Sequence, residues 1–83
     1  MKILFFARLR ELHGSESFEI DDVECPASVA GLRDLLCARL GEELAAELRD
    51  TNVFCAVNQK VADESQAISA GDEIAFFPPM TGG

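Results

Sequence analysis

The sequence predicts an α+β fold in which one main helix packs on one face of a mixed β-sheet. Three observations lead to this prediction. The chain has 83 residues, which is enough for one domain but not for two hydrophobic cores. Residues 29–40 have the apolar spacing of an amphipathic helix. Short runs rich in Val, Ile and Phe, which are typical of strands, lie both before and after that helix.

The N-terminal part predicts two strands joined by a long connection. Residues 2–7 form a short apolar run, and residues 16–23 alternate imperfectly between apolar and acidic side chains. Residues 8–14 are mostly polar and charged and end at a Gly-Ser turn signal, so we expect an irregular connection there. The two strands should therefore pair as a hairpin with a long loop.

The middle of the chain predicts the main helix and an acidic segment after it. Ser28 is a good N-cap, because its hydroxyl can accept a hydrogen bond from a free N–H of the first turn. Gly41 is a candidate C-cap. Residues 42–50 are acidic and helix-prone and predict a short second helix or an irregular turn. The apolar stripe of the main helix consists of Val29, Leu32, Leu36 and Leu40.

The C-terminal part predicts three strands. Residues 53–57 form the first, and Asn58-Gln59 is a plausible tight turn into a short strand over 60–62. Residues 65–71 are expected to be a loop, and residues 73–77 form the last strand.

The predicted element order describes a β-grasp, or ubiquitin-like, arrangement. A helix crossover permits the first strand to lie parallel to a later one. One helix covers only one face of the sheet, so the other face should meet solvent or a partner. We therefore divide the chain into a β-grasp domain over residues 1–77 and a flexible C-terminal arm over residues 78–83.

Two Phe-Phe pairs indicate how the faces are assigned. Adjacent residues of a strand point to opposite faces, so only one Phe of each pair can lie beneath the helix. Lys2 and Glu73 should point away from the core, which fixes the parity of both strands. The predicted core set is Ile3, Phe5, Ile74 and Phe76. The predicted uncovered set is Leu4, Phe6 and Phe77, a patch that either marks a partner surface or is partly buried by loops.

The last residues predict an arm that presents a carboxylate. Pro78 and Pro79 cannot donate backbone hydrogen bonds, so they end the sheet pairing and favour a stiff, extended segment. Gly82 and Gly83 lack side chains, so the tail can enter a narrow slot. Fully extended, residues 78–83 could carry the carboxylate roughly 20 Å from the domain. The alternative is a frayed terminus without a role.

Charge and composition argue against several classes of partner. The net charge of −8 disfavours nucleic acid and anionic membranes and is compatible with basic proteins. No apolar run approaches the ~20 residues of a membrane span, and no signal-peptide pattern follows Met1. We therefore expect a cytoplasmic protein.

The cysteines do not suggest a disulfide framework or a zinc site. Cys25, Cys37 and Cys55 are odd in number and widely spaced, no CxxC is present, and His13 is the one histidine. We interpret the three cysteines as small buried or half-buried thiols.

Three stretches resemble the small subunit of molybdopterin synthase, a ubiquitin-like sulfur carrier. They are residues 3–14, with Ile-Leu-Phe-Phe-Ala-Arg and a later Arg-Glu-Leu, residues 56–59 with Ala-Val-Asn-Gln, and residues 71–83. The resemblance covers the whole chain. Its specific part is the Phe-Phe-Pro-Pro ending with terminal Gly-Gly, because Gly-Gly alone would fit any ubiquitin-like carrier.

The resemblance implies a sulfur-donating role in molybdenum cofactor biosynthesis. A ubiquitin-activating-type adenylyltransferase would use ATP to adenylate Gly83, and a sulfur donor protein would convert it to a thiocarboxylate. Gly83 would then donate sulfur to cyclic pyranopterin monophosphate in the active site of the large subunit, within a two-plus-two heterotetramer. The chain would bind no cofactor and would have no complete active site of its own.

The assignment of strand faces and the family resemblance together predict the partner interface. Gly82 would give the tail its access. The predicted interface residues are Leu4, Phe6, Val61, Phe77, Pro78, Pro79, Met80 and Thr81.

Two alternative functions stay open. One is another ubiquitin-like carrier, for thiamine thiazole synthesis or tRNA thiolation, or a protein modifier. The other is an interaction module with an inert tail.

Overall fold

The computed structural model describes residues 1–50 and 52–79. They form five strands, three α-helices and one 3₁₀ turn. In chain order these are β1 (Lys2–Phe5), α1 (Ala7–His13), β2 (Ser17–Glu19), the 3₁₀ turn (Asp22–Glu24), α2 (Val29–Arg39), α3 (Glu42–Arg49), β3 (Phe54–Val57), β4 (Lys60–Ala62) and β5 (Ile74–Phe77).

The strands form one mixed sheet in the order β2-β1-β5-β3-β4. The central strand β5 is parallel to β1 and antiparallel to β3, and the two outer pairings are antiparallel. The β-grasp prediction is therefore confirmed, including the parallel pairing that a helix crossover permits.

The segment over residues 8–14, which we expected to be an irregular connection, is helical instead. Leu9 is fully buried, while the charged residues around it lie on the exposed side of α1. Gly14 closes the helix in the left-handed conformation, with φ of 83°, and its N–H donates to the Arg10 carbonyl at 2.9 Å. A helix of seven residues is marginal by itself, so burial of Leu9 supplies what local propensity does not.

The main helix begins as predicted but ends differently. The Ser28 hydroxyl accepts a hydrogen bond from the Gly31 N–H at 3.2 Å, which confirms the N-cap. The prediction that Gly41 is a C-cap is wrong. Leu40 ends α2, and Gly41, with φ of −59°, is the N-cap of α3. The segment over 42–50 is thus a helix, and its first turn carries two acidic residues that suit the positive end of the helix dipole.

All three helices and one face of the sheet enclose a single core. The four core residues that strand parity predicts are at most 1% exposed, so the assignment of faces is confirmed. Helix α2 contributes Val29, Leu32 and Leu36, and α3 contributes Leu44 and Leu48. The predicted strand residues within the core are Ile3, Phe5, Ile74 and Phe76.

Arg33 is a charged residue inside this core. Its side chain donates to both carboxylate oxygens of Glu64, at 2.9 and 2.8 Å, and to the Leu48 carbonyl at 2.7 Å. The guanidinium carbon lies 5.3 Å from the centroid of the Phe76 ring. Arg33 therefore links α2, the end of α3 and the loop after β4 over the central strand.

The predicted turn at Asn58-Gln59 is confirmed. Both residues have positive φ, 52° and 69°, which matches the twist of a two-residue hairpin. The Asn58 side chain accepts from the Glu73 N–H and donates to Asp72, both at 3.0 Å. That hydrogen bond from the Asn58 amide lowers the pKa of the Asp72 carboxyl. The hairpin is thereby joined to the residues that lead into β5.

The thiols are placed as predicted. Cys25 and Cys37 are half-buried, Cys55 is buried, and all three are free. Burial raises the pKa of the Cys55 thiol to about 11. In the ranges that the structure describes, no helix has both the length and the apolar character that crossing a bilayer requires.

Candidate partner-binding face

The face of the sheet opposite the helices is organised in three rows that cross the strands. The register pairs Phe54 with Phe77 in one row and Ala56 with Ala75 in the next. Because side chains alternate along a strand, these two rows share the open face. A third, polar row lies beyond them. We call the three rows the aromatic row, the floor and the polar row.

The aromatic row consists of Phe6, Phe77 and Phe54. The ring centroids of Phe6 and Phe77 are 4.5 Å apart with an interplanar angle of 7°, and those of Phe77 and Phe54 are 5.0 Å apart with an angle of 12°. Phe77 is thus held between two nearly parallel rings. Phe6 is 40% exposed, so one end of the row is open to solvent.

Two local features aim Phe6 at this face. Its backbone N–H donates to the Phe76 carbonyl at 3.3 Å, which extends the pairing of β1 and β5 by one residue. Ala7 then adopts φ of 52°, a left-handed conformation that an alanine adopts at a cost of roughly 1 kcal/mol. This bend sends the chain into α1 and leaves the Phe6 ring on the open face.

The floor is made of smaller side chains. Leu4 pairs with Ala75, Ala75 with Ala56, and Ala56 with Val61. The two alanines are each 7% exposed, because the larger side chains around them limit the access of solvent to their methyl groups. Val61, at the outer end, is 73% exposed. The floor is therefore the low part of an apolar groove.

The polar row borders the groove on the side away from the arm. Gln59 and Glu73 line this border, and Lys2 lines the neighbouring depression together with Glu73. The groove encloses about 460 Å³ between the aromatic and polar rows. Its lining is mostly apolar with a few polar groups at the border, which suits the binding of another protein surface better than bond-making chemistry. Within the described part of the chain, no His, Cys, Asp and Glu side chains are grouped as metal ligands would be.

The structure brings together four of the predicted interface residues. Leu4, Phe6, Val61 and Phe77 all line the groove. Pro78 is half-buried and Pro79 exposed, directly after the aromatic row. The remaining predicted site residues, Met80, Thr81, Gly82 and Gly83, lie outside the described residues. That these residues bind a partner stays a prediction.

Phe54 and Ala56 also belong to this face, although neither is among the predicted interface residues. Both line the groove, and they alternate along β3 with the buried Cys55 and Val57. This alternation is the signal that could have found them. Because alternate residues of a strand share a face, Phe54 and Ala56 lie on one side of β3 and Cys55 and Val57 on the other.

Together, the mixed sheet, the helices on one face and the groove on the other define a ubiquitin-like β-grasp protein. The ThiS family model matches residues 3–83, and the chain belongs to this family. It is 40% identical over 83 residues to the molybdopterin synthase sulfur carrier subunit of Escherichia coli, covering 100% of this chain and 99% of the relative. The predicted family resemblance is therefore confirmed.

The chain is also similar to an archaeal protein and to two solved structures. The chain is 35% identical over 91 residues to small archaeal modifier protein 1 of Haloferax volcanii, with 100% of both chains covered. Its fold is similar to a putative molybdopterin converting factor subunit 1 from Pyrococcus furiosus, with a TM-score of 0.77, 30% identity and 95% of each chain covered. A complex of subunits 1 and 2 of the molybdopterin-converting factor from Helicobacter pylori contains the same fold. There the TM-score is 0.60 at 24% identity, with 99% of this chain and 96% of that chain covered.

Proposed function

We propose that the chain is the sulfur carrier subunit of a molybdopterin synthase. The observation that carries the proposal is the full-length similarity to the Escherichia coli sulfur carrier subunit. The groove adds support, because it is an apolar surface that ends next to Pro78, where the arm begins. A carrier needs both features, one to dock on a partner and one to reach into it.

The proposed chemistry takes place at Gly83. Its carboxylate attacks the α-phosphate of ATP in an adenylyltransferase, which releases pyrophosphate and leaves an acyl adenylate. A sulfur atom at the oxidation level of sulfide, supplied by the donor protein, then attacks the acyl carbon and displaces AMP, which leaves the thiocarboxylate. The chain supplies the carboxylate, while ATP is bound by the activating partner. We place these steps in the cytoplasm, where ATP is available.

In the second half of the cycle the arm enters the large subunit. The thiocarboxylate sulfur attacks a carbon of cyclic pyranopterin monophosphate and displaces an oxygen substituent. Hydrolysis of the acyl–sulfur bond then leaves the sulfur on the pterin and returns Gly83 to a carboxylate. The large subunit supplies the acid and base groups and the substrate pocket, so this chain alone is not a complete sulfurtransferase. We propose that the large subunit covers the groove, with Leu4, Phe6, Val61 and Phe77 in contact, in a two-plus-two assembly.

Mass spectrometry tests the proposal. The chain is incubated with the adenylyltransferase, the sulfur donor and ATP, and the C-terminal peptide should gain the mass difference between sulfur and oxygen. A chain that lacks Gly83 is the matched control and should fold normally but gain nothing. Transfer to cyclic pyranopterin monophosphate is then measured with the large subunit present. A thiocarboxylate that forms but never reaches the pterin would contradict the proposed acceptor.

Gly82 has a proposed role in access, which a valine substitution tests. Gly82→Val adds a branched Cβ and restricts φ and ψ where the tail must enter a narrow channel. We expect unchanged thermal stability and a loss of activation or transfer. Activity that survives within about twofold would show that the channel is wide enough for a branched side chain at this position.

A protein modifier is the second candidate, because the Haloferax relative is named as one. In that case Gly83 would be joined to lysine side chains through isopeptide bonds. The same activated chain, incubated with lysate proteins, would then yield branched peptides that end in Gly-Gly. Transfer to a thiazole or tRNA acceptor would indicate one of the other carriers, and absence of any thiocarboxylate would indicate an inert tail.

A further inference from the structure

Phe54 lies on the open face, although nothing in the proposed chemistry requires it. Its ring covers the side of Phe77 that Phe6 leaves free, at 5.0 Å between centroids. The ring is half-buried and lines the groove. Phe77 therefore has an aromatic ring on both sides, and Phe54 provides one of them.

The contact between Phe54 and Phe77 lies where the sheet ends and the arm begins. Phe77 is the last residue of β5, and its pairing with Phe54 is the last pair of the β3–β5 ladder. Pro78 and Pro79 follow, and neither can donate a hydrogen bond to extend the ladder. Strand β5 thus ends at Phe77, so this residue sets the direction in which Pro78 and Pro79 leave the sheet.

Stacking on both sides restricts the Phe77 ring. A rotation about its χ1 bond would separate it from both neighbours, and a stacked aromatic pair is worth about two- to tenfold in an equilibrium. Removal of Phe54 would leave Phe77 stacked on Phe6 alone, beside a ring that is itself 40% exposed. Binding would then have to order Phe77 and Pro78, the first residue of the arm, and this loss of conformational freedom lowers the affinity.

We propose that Phe54 is a positioning residue that holds Phe77, and with it the root of the arm, in the orientation that the large subunit binds. This inference rests on the proposed function for the identity of the partner. It differs from that proposal in assigning Phe54 a role that acts through Phe77 rather than through its own contact with the partner.

The free chain provides the first test, by NMR of the Phe77 ring protons. Ring currents from two flanking rings shift these resonances upfield, so Phe54→Leu should move them downfield and speed the flipping of the Phe77 ring. Phe18→Leu is the matched control, because Phe18 contacts His13 rather than the aromatic row. Unchanged Phe77 resonances in Phe54→Leu would overturn the proposal.

A double-mutant cycle with the large subunit from the same organism provides the second test. Phe54→Ala should weaken the complex by about fivefold in the wild-type background and by less than about twofold in the Phe77→Ala background. Phe54→Tyr keeps the ring and should restore binding to near the wild-type value. Equal effects of Phe54→Ala in both backgrounds would mean that Phe54 is an independent contact, which overturns the positioning role.

The two tests separate this inference from the proposed function. If the wild-type chain does not bind the large subunit, the proposed function and the role of Phe54 in it both fail. If the wild-type chain binds but the cycle shows no coupling, only the role of Phe54 fails. Thermal melts of every variant confirm that the measured chains are folded.

Discussion

Each Phe-Phe pair contributes one ring to the covered face of the sheet and one ring to the open face, and the two faces give these rings opposite environments. Phe5 and Phe76 lie under the helices, at most 1% exposed, with ring centroids 6.3 Å apart at 26°. Phe6 and Phe77 lie on the open face, stacked at 4.5 Å and 7°. A shift of one residue along a strand therefore moves a phenylalanine from the core to the groove. Chemically identical side chains should accordingly serve stability on one face and binding on the other.

The largest expected effect is a loss of folding stability when a ring is removed from the face of the sheet that the helices cover. Phe76→Ala should lower the free energy of unfolding by about 3–5 kcal/mol, because it removes a fully buried ring and leaves a cavity. Part of this loss comes from the Arg33 guanidinium, which lies against the Phe76 ring. Chemical denaturation measures it, and Phe5→Ala should behave similarly. A loss below about 1 kcal/mol would show that the core does not depend on these rings.

The corresponding change on the open face should affect binding instead. Phe77→Ala or Phe6→Ala should weaken the complex with the large subunit by about 30-fold, equivalent to about 2 kcal/mol. Most of the stability should remain, since both rings lack helices above them. Titrations and melts on all four Phe variants provide the comparison. If Phe6 and Phe77 variants unfold while Phe5 and Phe76 variants only bind less well, the faces have opposite roles to those we assign.

A larger side chain in the groove should weaken binding of the large subunit without removing an existing contact. Ala75→Leu places a larger side chain on the floor of the groove and should weaken the complex by about tenfold, with a stability change below about 1 kcal/mol. Ala46→Leu, on the exposed side of α3, is the matched control and should bind normally. Equal affinity of the two variants would indicate that the partner does not enter the groove.

The smallest expected effect is a pH dependence that arises on the covered face. The ordinary thiol pKa is 9.0, and burial raises that of Cys55 to about 11. Between these values the unfolded chain loses the proton while the folded chain keeps it. The stabilisation is thus complete below pH 9 and is lost as pH rises toward 11. Wild-type stability should fall more steeply in this window than that of Cys55→Ala, and parallel slopes would contradict the assignment.

Much of the fold could be predicted because its signals are periodic. Strand parity separated Phe5 from Phe6 and Phe76 from Phe77, and helical spacing located α2. The Asn58-Gln59 turn was recognisable because asparagine tolerates positive φ, although its hydrogen bonds to the segment before β5 were not. These features depend on local sequence, and tertiary contacts reinforce them.

The features that escaped prediction depend on tertiary contacts. Helix α1 has few apolar residues and gains its stability from burial of Leu9, so its sequence resembles a connection. A glycine between two helical segments can end the first or begin the second, and the backbone angle of Gly41 decides for the second. Phe54 was overlooked because its strand has no Phe-Phe pair to draw attention to parity.

The outer strands of the sheet have a consequence for self-association. Both β2 and β4 contain only three residues, so each unpaired edge offers few backbone groups to another sheet. Charged residues, Glu19 and Lys60, lie on these two edges. The net charge of −8 also makes copies of the chain repel one another. Short edges and like charge therefore counter aggregation of a chain whose aromatic row is open to solvent at Phe6.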